Sequence, residues 1–103
     1  MEALYFGTSR PDGGVVSDAE WQRFLDEVVT SRFPAGLTVL SAVGQWKSSK
    51  TGQIVAERTF VLNVVHTGTA QQRQAFGEIV AGYKQRFAQE SVLQVGSAAC
   101  AAL

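Results

Sequence analysis

The sequence predicts an α+β fold in which two helices cover one face of a four-stranded antiparallel sheet. Three observations carry this prediction: four apolar, β-rich segments, two helix-initiating capping boxes, and one loop of hairpin length between the two central segments. The order is strand, helix, strand, strand, helix, strand. Right-handed crossovers then give sheet order 4-1-3-2, a ferredoxin-like split βαβ sandwich. We expect one domain over residues 1–103, with a loosely held tail at 96–103.

The first strand and first helix have clear boundaries in the sequence. An aromatic-rich strand over 3–8 stops at 9–14, where a proline and paired glycines cannot continue a ladder. Ser17 and Glu20 have the spacing of a capping box, which begins a helix with apolar residues at helical intervals. Pro34 disfavours helical geometry at the residue before it, so we expect the helix to end near residue 32.

The second half of the chain supplies three strands and the second helix. Strands are predicted over 37–46 and 54–66, and the polar loop 47–53 between them favours an antiparallel hairpin. Thr69 begins the second helix with another capping box. A last strand is predicted over 91–95.

Composition excludes several classes of function. Nine basic residues balance nine acidic ones without forming a basic stripe, which argues against nucleic acid as a partner. A single histidine and the lone Cys100 exclude the usual metal sets and an intrachain disulfide, so we predict no metal and no cofactor. No apolar run reaches the ~20 residues of a membrane span. We expect a soluble protein, cytoplasmic unless a secretion leader was trimmed.

Side-chain alternation divides the sheet into two faces. In the third strand, the set predicted to lie under the helices is Ala56, Phe60, Leu62 and Val64. The opposite face mixes polar and apolar groups, with Tyr5, Glu57, Thr59, Asn63 and Gln94 among Val55, Val61, Val65 and Val92. Monomers seldom leave such a surface bare. Either a second copy of the chain covers it, through a homodimer contact, or it forms a ligand cavity, and the two are compatible.

The candidate catalytic residues are Glu57, His66 and Tyr5. A Glu inside an apolar central strand has to be paired, protonated or exposed, and a partly desolvated carboxylate can act as a base. The structural alternative for Glu57 is a salt link to Arg10 or Lys47. His66 is the only imidazole in the chain, and its alternative role is a half-exposed residue at a strand end without a carboxylate nearby in sequence.

The candidate ligand-binding residues lie on the open face and on the adjoining rim. Arg10 and Trp46 are expected at the edge of the sheet where the loop enters the first helix, near Glu57. The polar open-face residues Thr59, Asn63 and Gln94 complete the predicted set.

Motifs along nearly the whole chain resemble the bacterial domain-of-unknown-function 3574 family. They are Leu4-Tyr5-Phe6-Gly7, Ser9 to Gly14, Trp21 and Phe24, Arg32-Phe33-Pro34, Gly36 to Val39, Gly44-Gln45-Trp46, His66, Tyr83-Lys84, and Phe87 with Gln89 to Leu93. The resemblance implies no assigned activity. It allows an extracytoplasmic origin, because family members often carry a secretion or lipoprotein signal.

These observations lead to two hypotheses from different classes. The first is a homodimeric protein that binds a small organic molecule at the open sheet face or adjoining rim, with cofactor-free acid–base chemistry as an extension. The second is a non-enzymatic structural or interaction module whose open face is a dry oligomer interface.

Overall fold

The computed structural model describes residues 1–103 and confirms the predicted topology. The strands are β1 (Glu2–Gly7), β2 (Thr38–Lys47), β3 (Ile54–Val64) and β4 (Leu93–Gly96), and the helices are α1 (Asp18–Phe24) and α2 (Ala70–Phe87). A π-helical segment, Leu25–Val29, continues α1. All neighbouring strands are antiparallel in the order β2-β3-β1-β4, which is the predicted order written from the other edge.

Both helices begin at the predicted capping boxes. Ser17 accepts a hydrogen bond from the Glu20 amide while the Glu20 carboxylate accepts from the Ser17 amide. Thr69 and Gln72 form the same reciprocal pair at the start of α2. Each box satisfies amides that have no partner within the helix, so these short polar motifs fix where the helices begin.

The core between the sheet and the helices is largely aromatic. Phe6 of β1 is fully buried and its ring packs against Trp21 and Tyr83 at centroid distances of 5.0 and 4.7 Å. Trp21 stacks in parallel on Phe60 of β3 at 4.5 Å. The hydroxyl of Tyr83 donates to the backbone carbonyl of Gly7, so this core tyrosine has its polar atom satisfied. Burial raises the pKa of Tyr83 well above its usual value, and the negative charge of Glu57 adds to the shift.

The predicted alternation of β3 is correct where the helices cover it and wrong at one position. Phe60, Leu62 and Val64 are buried under the helices, whereas Ala56 is exposed. Ala56 belongs to the part of the β2–β3 hairpin that is not covered by the helices, in a molecule 44 Å long and 22–26 Å across. Val43 and Ile54, on the same side of that hairpin, are exposed as well.

The predicted orientation of β4 is wrong. Leu93 pairs with Tyr5 and Gln94 pairs with Leu4, so Leu93 lies on the open face and Gln94 on the helix-covered face. Val92, also predicted on the open face, is partly buried against the core just before the strand begins. A shift of one residue reverses every side chain of a strand, and this strand of four residues alternates too weakly to fix its own register.

No helix of the protein combines the length and the apolar character needed to cross a membrane.

Met1 and Ser97 meet beside β1, where the Met1 amino group donates to the Ser97 carbonyl and the Ser97 amide donates to the Met1 carbonyl. Residues 97–103 are exposed, Cys100 among them.

Candidate functional site on the open sheet face

The face of the sheet opposite the helices is more apolar than the sequence analysis predicts. Register places the even-numbered residues of β2 and the odd-numbered residues of β1, β3 and β4 there. The exposed large apolar side chains on this face are Tyr5, Leu40, Trp46, Leu93 and Val95. Exposed apolar surfaces of this kind often serve as binding or association sites, which makes this face the candidate functional site.

Glu57 is the central charged group of this face. Its Oε2 accepts a hydrogen bond of 2.8 Å from the Ser9 amide, and its Oε1 lies against Gly7 of β1. No lysine or arginine forms an ion pair with it, so the alternative salt link to Arg10 or Lys47 is not formed. A half-buried carboxylate with one amide donor and no cation has unused capacity to accept hydrogen bonds.

Two glycines in the neighbouring strands make room for polar side chains of β3. A Cβ at Gly7 would lie 2.5 Å from Oε1 of Glu57, and a Cβ at Gly44 of β2 would lie 2.6 Å from Oγ1 of Thr59. The Glu57 side chain therefore lies over β1 and the Thr59 side chain over β2. We call Gly7, Gly44, Glu57 and Thr59 the glycine-flanked site. The sequence analysis missed both glycines, although glycine inside a strand often marks a close approach of this kind.

The predicted open-face residues fall into two groups. Trp46 is paired with Val55, one same-face position from Glu57, and its half-exposed indole borders the glycine-flanked site. Tyr5 is paired with Val61, six register positions from Val55, which is about 20 Å at 3.3–3.4 Å per residue. Asn63 lies beyond Val61, on the Tyr5 side. One small molecule can contact Glu57 and Trp46 together, whereas Tyr5 lies on the other side of the buried Thr59, opposite a position two residues further along β3.

Arg10 lies on the rim, as predicted, but its charge is already used. Its guanidinium forms an ion pair with Glu20 and sits 5.4 Å from the centroid of the Phe87 ring. The Ser17 amide lowers the pKa of the Glu20 carboxyl by hydrogen bonding, and Arg10 lowers it further. Arg10 therefore ties the rim to the start of α1 through Glu20, while its buried Nε has no hydrogen-bond partner in the protein, so its role in ligand binding stays a prediction.

An open cleft of about 420 Å³ adjoins Glu57 on the rim. It is lined by Thr8, Ser9, Val15, Val16, Ser17, Asp18, Ala56, Glu57 and Arg58. Arg58 in its wall is held by an ion pair with Asp18 and by a hydrogen bond of 3.1 Å from its Nε to Ser41. The cleft therefore combines the paired charges of Arg58 and Asp18 with the Glu57 carboxylate, which it shares with the glycine-flanked site.

His66 lies far from Glu57, at the other end of the sheet. Contrary to expectation a carboxylate does orient it, because Glu2 lies 3.3 Å from Nε2. The Gly68 amide donates to Nδ1, so the ring proton is on Nε2 and points to Glu2. Gln94 donates to the other oxygen of Glu2, and the His66 ring packs edge-on against Phe76. Both nitrogens of His66 are therefore engaged within the protein, and its side chain is only 8% exposed.

Comparisons with known proteins identify the family and the fold. The sequence profile of the family described as "Protein of unknown function (DUF3574)" matches residues 1–103, the whole chain. No curated protein matches the sequence. A solved structure described as a phage SAM lyase in complex with S-methyl-5'-thioadenosine superimposes with a TM-score of 0.66 at 13% sequence identity, covering 90% of this chain and 75% of that one. At this identity the similarity establishes the fold alone.

Proposed function

The chain belongs to the DUF3574 family of proteins of unknown function, and we propose that its open sheet face binds a small organic molecule with a planar apolar group and a hydrogen-bond donor. The observation that carries the proposal is Glu57, a half-buried acceptor with no cation partner beside the exposed indole of Trp46. A ligand hydroxyl, amine or cationic group would supply the missing partner.

The shape of the glycine-flanked site favours a planar molecule. Glu57 and Thr59 lie sideways over the glycines of adjacent strands, so no side chain stands upright at Gly7 or Gly44. Trp46 borders this shallow floor with a half-exposed indole, onto which an aromatic ring can stack. A few oriented polar groups beside aromatic surface are typical of small-molecule sites.

A nucleoside meets these requirements, since it joins a planar base to a ribose whose 2′- and 3′-hydroxyls can donate hydrogen bonds. The phage lyase with the same fold was solved with a thionucleoside, which makes S-methyl-5'-thioadenosine a suitable probe. The proposal covers binding. Acid–base chemistry by Glu57, Tyr5 or His66 stays a prediction, and the engaged nitrogens of His66 favour it least.

Titration of the protein with S-methyl-5'-thioadenosine, followed by tryptophan fluorescence, tests the proposal. Trp46 reports the site because it borders Glu57, whereas Trp21 is buried in the core. Glu57→Gln keeps an acceptor for the Ser9 amide but removes the charge, and we expect binding to weaken about tenfold or more with unchanged thermal unfolding.

Glu78→Gln is the matched control, because it makes the same chemical change on α2, where Glu78 pairs with Arg32. It should bind the thionucleoside like the wild type. No binding by the wild type would contradict the nucleoside class, and equal binding by Glu57→Gln would remove the carboxylate from the proposal.

The second candidate for the same face is a contact between two copies of the chain. Leu40, Leu93 and Val95 favour it, because they are exposed and lie away from the polar centre. Sedimentation velocity should then show a dimer that Leu93→Asp dissociates. Val15→Asp, at an equally exposed loop valine, should leave the dimer intact. A wild-type monomer at all concentrations would contradict this contact.

A further inference from the structure

β2 is an edge strand without the devices that normally protect such an edge. It is the outermost strand on its side of the sheet and runs for ten residues. Its pairing with β3 is continuous from Thr38 to Lys47, so no bulge interrupts it. No proline or charged residue occurs from Thr38 to Trp46. Soluble proteins protect edge strands by charge, proline, a bulge or shortness, and β2 has none of these.

The other edge of the same sheet shows the contrast. β4 has only four residues, Leu93–Gly96, and offers a short row of backbone groups for pairing. A long regular edge can accept a full additional strand through its outward N–H and C=O groups. The partner that such an edge fits best is an extended polypeptide strand rather than a helix or a small molecule.

The exposed apolar residues of β2 are arranged symmetrically. Leu40, Val43 and Trp46 are its large exposed apolar residues, and they are spaced evenly about Val43. Strand register puts Leu40 and Trp46 on the open face and Val43 on the opposite one. Val43 is 82% exposed, so no helix overhangs the middle of this edge.

We propose that β2 pairs antiparallel with β2 of a second copy of this chain, about a two-fold axis that runs normal to the sheet and midway between the two Val43 residues. In this register Leu40 faces Trp46 of the partner subunit, and Val43 faces its own equivalent. All three exposed apolar residues gain a cross-strand neighbour in a single register. The strand carries no charge near the axis, so like charges do not meet there, and two-fold self-pairing is the commonest symmetry of homodimers.

The resulting assembly is one continuous eight-stranded sheet with all four helices on one side. Its open face is not covered by the contact and remains available to a ligand. The edge contact and the proposed function share Trp46 but are read by different measurements, oligomeric state and ligand affinity, so either can fail without the other.

Disulfide trapping tests the register directly. In a Cys100→Ser background, Val43→Cys puts two thiols opposite each other, at the ~4.5–5.5 Å Cα spacing of paired strands that a disulfide can bridge. Gln45→Cys is the control, because residue 45 would lie four positions, about 13 Å, from its equivalent. We expect mild oxidation to link Val43→Cys chains about tenfold faster than Gln45→Cys chains.

A mixture of two cysteine variants extends the test to Leu40 and Trp46, the pair of residues that flanks Val43 in the proposed contact. Leu40→Cys and Trp46→Cys chains should cross-link with each other and poorly with themselves. Val43→Lys, which puts two like charges on the axis, should yield a monomer by light scattering. Ile54→Lys, at an exposed residue on the same side of β3, should leave the dimer intact.

Three outcomes would overturn the proposal. The first is a wild-type monomer at 100 µM by light scattering. The second is equal trapping at positions 43 and 45. The third is a dimer that survives Val43→Lys, which would assign the contact to the open face or to another partner strand.

Discussion

The two faces of this sheet are built from alternate residues of the same strands, and adjacent residues differ completely in environment. Phe6 is fully buried among aromatic rings, while Tyr5 beside it is 38% exposed on the bare face. The covered face encloses a tyrosine whose hydroxyl is hydrogen-bonded, whereas the bare face holds Glu57, whose carboxylate accepts from one backbone amide and has no cation partner. The comparison shows that the tightly packed residues of the core lie on the covered face, whereas the bare face keeps large apolar side chains exposed.

The strongest test of this comparison substitutes the two neighbours in turn. Phe6→Ala should lower the free energy of unfolding by about 3–5 kcal/mol, because it removes a ring that packs against three others and leaves a cavity. Tyr5→Ala should change it by less than about 1 kcal/mol. Urea denaturation measures both values. Equal losses would mean that the bare face is packed as tightly as the core.

Tyr83→Phe isolates the polar contribution to the covered face. The substitution leaves the Gly7 carbonyl without the buried donor it has in the wild type, which should cost about 1–3 kcal/mol of unfolding free energy. Urea unfolding at pH 7 measures it. No loss would show that the carbonyl finds another donor.

The same tyrosine predicts how stability changes at high pH. Burial raises the pKa of Tyr83 in the folded state, so above about pH 10 the unfolded chain releases this proton and the folded protein keeps it. The contribution of Tyr83 to the free energy of unfolding is therefore fully present below about pH 10. It falls as the pH rises further, at a limiting slope of about 1.4 kcal/mol per pH unit. Urea midpoints between pH 9 and 11.5 should fall more steeply for the wild type than for Tyr83→Phe. Parallel curves would contradict the assignment.

Gly7→Ala tests whether the glycine shapes the binding face. The new methyl group would displace the flexible end of Glu57, so we expect a stability loss of about 1 kcal/mol or less but weaker binding of S-methyl-5'-thioadenosine. Gly77→Ala is the control, since no atom lies within 4 Å of the added Cβ on α2 and the change should stabilise the helix by about 0.5–1 kcal/mol. Unchanged binding by Gly7→Ala would separate the glycine from the site.

His66→Gln should have the smallest effect on binding. The side chain lies at the opposite end of the sheet, on the covered side, and contacts Glu2 and Phe76 rather than the glycine-flanked site. The midpoint temperature of thermal unfolding should fall modestly, while the affinity for the thionucleoside stays within about twofold of the wild type. A large loss of binding would return His66 to the functional set.

The sequence predicts the topology because its signals are local and strong. The two capping boxes and the 47–53 hairpin loop each specify structure within a few residues, and long strands keep their alternation. In β4 the four residues are too few to fix which side chains face the core, and Gln94 was placed on the wrong face. Ala56 was misplaced because alternation does not show where the helices stop covering a strand.

Features of the site that depend on distant residues were not predictable in the same way. Glu2 reaches His66 because β1 and β3 pair antiparallel, although 64 positions separate them in the chain. The contacts of Glu57 with Ser9 and Gly7 arise from the same pairing. In the sequence, a glycine inside a strand is the feature that indicates a close contact of this kind.

Chemical-shift mapping with S-methyl-5'-thioadenosine tests the central claim most directly. We predict saturable perturbations of the backbone amides at Gly7, Gly44, Glu57 and Thr59 and of the Trp46 indole, with the core residues Phe24 and Ile79 unchanged. Perturbations confined to the cleft residues Val15, Val16 and Asp18, or none at millimolar ligand, would contradict the assignment of binding to the bare face.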